Sequence, residues 1–132
     1  MLMGFAALSA LLVGMRLAGV FHLGPIATSG TEAWTYGAAY ALICLVIGLS
    51  EESFYRGYVQ YTGAQGIGFW PAAILISAYF GFSHIGRATE TWLGTLNAGL
   101  CGLVLCLFLE RTGNLWLPIG FHTTFNWAQI YF

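Results

Sequence analysis

The chain has 132 residues, 58% of them hydrophobic, 17% aromatic and only 7% charged, with a formal net charge of −1 and a mean hydropathy of +0.76. Four arginines and five glutamates make up the entire charged complement, whereas a water-soluble domain carries about a quarter of its residues as charges to keep its surface wet. That excludes a soluble globular domain, a disordered tail, a coiled coil and an electrostatic nucleic-acid binder, which would need a basic stripe.

The class that remains is a membrane protein, an all-α polytopic bundle. A helix crossing a bilayer core needs about 20 mostly apolar residues. Five such stretches follow one another, at about 2–21, 36–60, 69–86, 92–110 and 115–132. A transmembrane β-barrel would show shorter segments of alternating polarity, and none is visible. The spacing therefore predicts about five membrane-spanning helices in one domain covering residues 1–132.

The first segment has no basic lead-in, and its apolar run is too long for a signal peptide. Ala10, Gly14 and Ala18 form a small-residue ridge on it, suited to close helix approach. Leu23-Gly24-Pro25 and Thr28-Ser29-Gly30-Thr31 then interrupt the chain. Gly63, Gly66 and Gly68 separate the second segment from the third, which starts with Pro71 in its first turn. Ile85-Gly86-Arg87-Ala88-Thr89 and Arg111-Thr112-Gly113-Asn114 punctuate the last two. Trp34, Trp70, Trp92 and Trp116 all fall near segment starts, where an aromatic belt would place them. Gly94, Ala98 and Gly102 make a second small-residue ridge. Cys44, Cys101 and Cys106 all lie inside apolar segments, which argues against a disulfide framework.

An ionisable group inside a membrane helix is costly, so its presence points to pairing or to function. The second segment carries three in Ser50-Glu51-Glu52-Ser53-Phe54-Tyr55-Arg56-Gly57. Glu52 and Arg56 stand at i and i+4 with the glutamate first, the favourable order for an ion pair on one face. Glu51 is turned about 100° away, so the geometry predicts a structural Glu52–Arg56 pair and assigns the chemistry to Glu51. The third segment ends Phe80-Gly81-Phe82-Ser83-His84, where a lone histidine is as readily interfacial as functional. In the fifth, His122 and Asn126 are again i and i+4. Their N–H donors on one face could form an oxyanion site, or simply hydrogen-bond to a neighbouring helix.

Taken together, these motifs resemble the CPBP intramembrane proteases, which include the Rce1-type CAAX-processing endopeptidases. The family pattern is E-E-x-x-x-R, then F-x-x-x-H, then H-x-x-x-N/D. Here it reads Glu51-Glu52-x-x-x-Arg56, Phe80-x-x-x-His84 and His122-x-x-x-Asn126, in that order. Arg111-Thr112-Gly113-Asn114-Leu115-Trp116-Leu117-Pro118 also looks like the family's lead-in to its last motif, and the match spans about residues 41–128.

The resemblance implies an integral, multi-pass membrane endopeptidase that uses glutamate and no metal or other cofactor, in the cell membrane if the source is prokaryotic. By position, Glu51 would be the general base and His84 its partner in activating water. His122 and Asn126 would stabilise the oxyanion, with Glu52, Arg56 and Phe80 supporting. The substrate would be a membrane-associated protein or peptide, CAAX-type and prenylated or bacteriocin-type. Members of that family usually carry further helices ahead of the glutamate motif, so this chain reads either as a minimal member or as a truncated family core. Three alternatives stand beside it. A zinc protease would use Glu51 or Glu52 with His84 and His122, although no H-E-x-x-H occurs. A non-enzymatic immunity or binding scaffold would keep the polar core, and a transporter would use the carboxylates as an ion path.

Overall fold

In the structure, a computed structural model, residues 2–85 and 91–132 are described. Every regular element among them is helical: α1 (Met3–Leu17), α2 (Gly30–Glu52), a π-helical stretch (Ser53–Gln60), α3 (Tyr61–Ile67), α4 (Phe69–Phe82), α5 (Trp92–Thr112) and α6 (Trp116–Tyr131). Two are long and apolar enough to cross a bilayer. One is the continuous 38-residue run Gly30–Ile67, and the other is the 21-residue α5. α1 and α4 are apolar but only 15 and 14 residues long. Their neighbours expose rows of apolar side chains, Leu42, Ile43 and Val46 on α2 and Leu93, Leu96 and Leu100 on α5. Such a surface suits hydrocarbon rather than water.

Several boundaries differ from the sequence reading. The second helix begins at Gly30, six residues before Tyr36, and runs on through Gly63 and Gly66. An isolated glycine costs a helix only about 1 kcal/mol relative to alanine, so these two do not stop it. Gly68 does, because its φ of 85° lies outside the helical region. The first helix stops at Leu17, and residues 21–29 have no regular secondary structure. Arg87 and most of the expected third break lie outside the described residues.

The chain forms two compact units, Met1–Leu49 with Ile119–Phe132, and Ser50–Pro118. In the first, α1 approaches α6 at Gly4. A Cβ added there would meet the Phe121 carbonyl oxygen, and the Phe125 nitrogen at 2.6 Å. Phe5 packs its ring 5.4 Å from Trp127 and 5.2 Å from Phe132. α2 meets α6 at Gly48, against Thr123, and at Gly37, whose carbonyl accepts from Trp127 Nε1 at 2.9 Å. The expected Ala10–Gly14–Ala18 ridge is exposed instead. A small residue permits close approach only where another backbone lies opposite, and the backbone opposite α1 is that of α6 around Phe121–Phe125.

In the second unit, α4 packs along α5 around a buried cluster of Ala73, Ile76 and Cys106, with Tyr55, Val59 and Phe69 against it. The backbones come closest at Gly81, where a Cβ would stand 2.8 Å from the Thr95 carbonyl oxygen and 3.1 Å from the Gly99 nitrogen. The working ridge of α5 is thus Thr95, Gly99 and Gly102, not Gly94, Ala98 and Gly102. Strict four-residue steps drift by about 40° each around a helix of 3.6 residues per turn, whereas steps of four and three stay on one face. All three cysteines are free thiols.

Candidate active site

The glutamate pair closes α2, and the next eight residues, Ser53–Gln60, are π-helical. Such widened turns occur mostly as single-turn insertions in α-helices, frequently at functional sites. Glu52 and Arg56 are both fully buried, and Arg56 Nη1 donates to Glu52 Oε1 at 2.9 Å. This is the i, i+4 pair the sequence predicts. Arg56 Nη2 donates to the Gly102 carbonyl at 3.2 Å, which ties the guanidinium to α5. Gly102 has to be small at that point, since a Cβ would stand 3.1 Å from Nη2 and 3.2 Å from Ser77 Oγ. Glu51, one residue earlier, is only half-buried.

The guanidinium lies over the Phe80 ring, 4.7 Å from its centroid, and 5.9 Å from that of Tyr55. A cation over an aromatic face is attracted by the ring quadrupole, more strongly where water is excluded. Tyr55 meets Phe80 edge-on at 5.2 Å, and Phe80 meets the His84 imidazole edge-on at 4.8 Å. Phe80 therefore touches both the buried cation and the histidine.

The end of α4 sets the histidine's protonation pattern. The helix tightens there, with the His84 N–H bonding Gly81 and the Ile85 N–H bonding Phe82, both at 3.0 Å. Such three-residue bonds are common at helix ends. The Phe80 carbonyl then receives side chains, Ser83 Oγ at 2.7 Å and His84 Nδ1 at 2.7 Å. A carbonyl can only accept, so Nδ1 carries the proton. In the neutral ring Nε2 is then the acceptor. His84 is half-buried, with Ser83 Oγ 3.4 Å from its Nδ1.

His122 and Asn126 belong to the other unit, on α6, where His122 is buried and Asn126 half-buried. Thr123 and Thr124 beside them are buried too, and Thr124 Oγ1 donates to the Gly120 carbonyl at 2.7 Å. Among the described residues, no three His, Cys, Asp or Glu side chains gather closely enough to share a metal ion.

The sequence reading missed one extension of the site. Gln60, a further four residues beyond Arg56, is also buried, and its Oε1 accepts from Cys106 Sγ at 3.0 Å. Ser77 Oγ lies 3.6 Å from the same sulfur. The Glu52, Arg56, Gln60 spacing was the available signal. The π-helical winding has no such mark in the residues.

The model of the Rce1-like type II CAAX prenyl endopeptidases matches residues 32–128, a stretch that holds all three motifs. The chain belongs to this family. No curated protein and no solved structure matches it. As an Rce1-like protein it is a membrane-embedded helical protein of a peptidase family, which agrees with its composition and its two long apolar helices.

Proposed function

We propose that this Rce1-like chain is a multi-pass intramembrane endopeptidase, one domain with five membrane-crossing segments. It hydrolyses a peptide bond in a membrane-associated, CAAX-type substrate. The observation that best supports the reading is the held imidazole. With Nδ1–H given to the Phe80 carbonyl, Nε2 is left as a hydrogen-bond acceptor for water, and Phe80 is itself braced by the Glu52–Arg56 pair.

Glu51 is the general base in this reading and His84 its partner in orienting the water. The water oxygen attacks the scissile carbonyl carbon, and its proton passes to Glu51. The carbonyl oxygen becomes an oxyanion, for which His122 and Asn126 are the donors. Collapse breaks the C–N bond, and the proton held by Glu51 goes to the leaving amine. A positioned base contributes about 10²–10⁴-fold and a single oxyanion donor about 10²–10³-fold. Glu52, Arg56 and Phe80 hold the shape and transfer no proton. These roles follow the order of the three motifs.

The test is cleavage of fluorogenic peptides, with and without a prenyl group, by the purified protein in proteoliposomes. Wild type, Glu51→Gln and His84→Ala are run in parallel, each with and without a strong chelator. Hydrolysis that survives the chelator and is lost in both variants supports the glutamate mechanism. Hydrolysis lost to the chelator and restored by zinc overturns it in favour of a metalloprotease. A folded wild type that cuts no peptide in the panel counts for the non-enzymatic scaffold.

A further inference from the structure

One turn from the Arg56–Phe80 contact, the same helical segments meet a second time through polar groups. Helix periodicity sets the place. Gln60 follows Arg56 by four residues, Cys106 follows Gly102 by four and Ser77 precedes Phe80 by three, spacings that put each pair on one face. Arg56, Gly102 and Phe80 make the first contact, and Gln60, Cys106 and Ser77 make the second. Gln60 and Ser77 are 1% exposed and Cys106 is fully buried.

The thiol is the joint of the second contact. Its one hydrogen goes to Gln60 Oε1 at 3.0 Å, so toward Ser77 Oγ, 3.6 Å away, the sulfur is the acceptor and the hydroxyl the donor. Through Cys106, α5 thus holds the π-helical stretch on one side and α4 on the other. α5 lies close to Ser77 here, because a Cβ on Gly102 would stand 3.2 Å from its Oγ.

The surrounding side chains, Ala73, Ile76, Val59 and Phe69, are apolar. Apolar contact is non-directional and lets one helix slide or turn on another, whereas a hydrogen bond has a direction. A single polar attachment would let α4 pivot about Arg56. Two, about one 5.4 Å turn apart, fix its direction as well. α4 leads into His84, and the π-helical stretch follows directly on the glutamate pair, all within the unit Ser50–Pro118. The second contact therefore bears on two groups that the proposed reaction needs in register, where a misplacement of about 1 Å can cost 10²-fold.

We propose that Cys106 is a positioning residue for peptide hydrolysis. Its thiol, bonded to Gln60 and Ser77, sets α4 against the π-helical stretch and with it His84 against Glu51. The inference rests on the proteolytic reading and extends it to a residue outside the three motifs. Thiol hydrogen bonds are weak, so the effect falls on geometry more than on stability.

The test is steady-state hydrolysis by the full-length protein in proteoliposomes, with thermal unfolding of the same preparations. Cys106→Ala removes both bonds, Cys106→Ser keeps a donor and an acceptor in place, and Ser77→Ala removes only the α4 arm. Cys106→Ala should lower kcat about ten- to hundredfold with KM unchanged. Cys106→Ser should recover most of that loss, and Ser77→Ala should lower kcat by a smaller factor, again at constant KM. Wild-type kcat in Cys106→Ala and Ser77→Ala overturns the inference, as does a loss that Cys106→Ser does not recover or that follows the fraction of unfolded protein. Ser77→Ala deletes one hydroxyl, so it carries the decision if Cys106→Ala does not fold. The two readings fail differently. A wild type that cleaves nothing removes the reaction itself, whereas cleavage that ignores the substitutions leaves the reaction and removes only the role of Cys106.

Discussion

His84 Nδ1 lies 2.7 Å from the carbonyl oxygen of Phe80, one turn earlier on the same helix. That contact gives the spacing in F-x-x-x-H a physical meaning. Four residues put the imidazole back over the carbonyl that α4 turns to side chains as its last turn tightens. The aromatic ring at the same position reaches the buried arginine. One residue therefore links the ion pair on one helical run to the histidine on another.

The first prediction follows from that double role. Phe80→Leu keeps the backbone carbonyl, and with it the His84 tautomer, but removes the ring from under the guanidinium. The lost cation–π contact is worth about 0.5–2 kcal/mol. Thermal unfolding in detergent should register it. Hydrolysis should fall by less than in His84→Ala, where about 10²–10⁴-fold is expected from loss of the water-orienting group. Equal losses in the two variants would mean that the ring, and not the tautomer, carries the function of the motif.

Adjacent glutamates should separate cleanly. Glu52→Gln strands a fully buried Arg56 and should cost about 3–5 kcal/mol in stability, the usual penalty for breaking a buried pair. Glu51→Gln, at a half-buried position, should leave unfolding within about 1 kcal/mol of wild type while abolishing hydrolysis. Unfolding curves and initial rates on the same preparations test this directly. The reverse pattern would exchange the roles of the two carboxylates.

Gly102→Ala should destabilise by about 1–3 kcal/mol, the usual range for overpacking a tight contact. Its methyl would stand 3.1 Å from Arg56 Nη2 and 3.2 Å from Ser77 Oγ. Gly14→Ala is the control, because nothing lies within 4 Å of a Cβ at Gly14. It should be neutral or stabilising by about 0.4–1 kcal/mol. A Gly102→Ala protein as stable as wild type would show that the tie between Arg56 and α5 has slack.

Activity should be unchanged by a strong chelator and by added zinc. The comparison is the initial rate of peptide hydrolysis in proteoliposomes before and after dialysis against the chelator. A loss that zinc restores would point to a ligand set drawn from the glutamate pair and the histidines.

Much of this protein was legible in the residues because a bilayer tolerates few polar groups, and those few must be placed with purpose. Nine charges in 132 residues decide the class. The four-residue spacing of Glu52 and Arg56 decides their pairing, since helix geometry brings those two side chains to one face whatever surrounds them. The order of the three motifs decides the family. Other features were beyond such reading. Which small residues serve as contacts depends on which backbone lies opposite, so Gly4, Gly48 and Gly81 proved to be close approaches, while the regular ridge on α1 did not and only Gly102 of the ridge on α5 did. Gly63 and Gly66 looked like breaks but are helical, because of these three glycines only Gly68 takes a positive φ. The stack of Arg56 on Phe80, the Gly102 carbonyl that receives the same guanidinium and the link from Gln60 to Cys106 join positions 24 to 46 residues apart. Contacts at that separation depend on how helices pack, and no local pattern in the sequence encodes them.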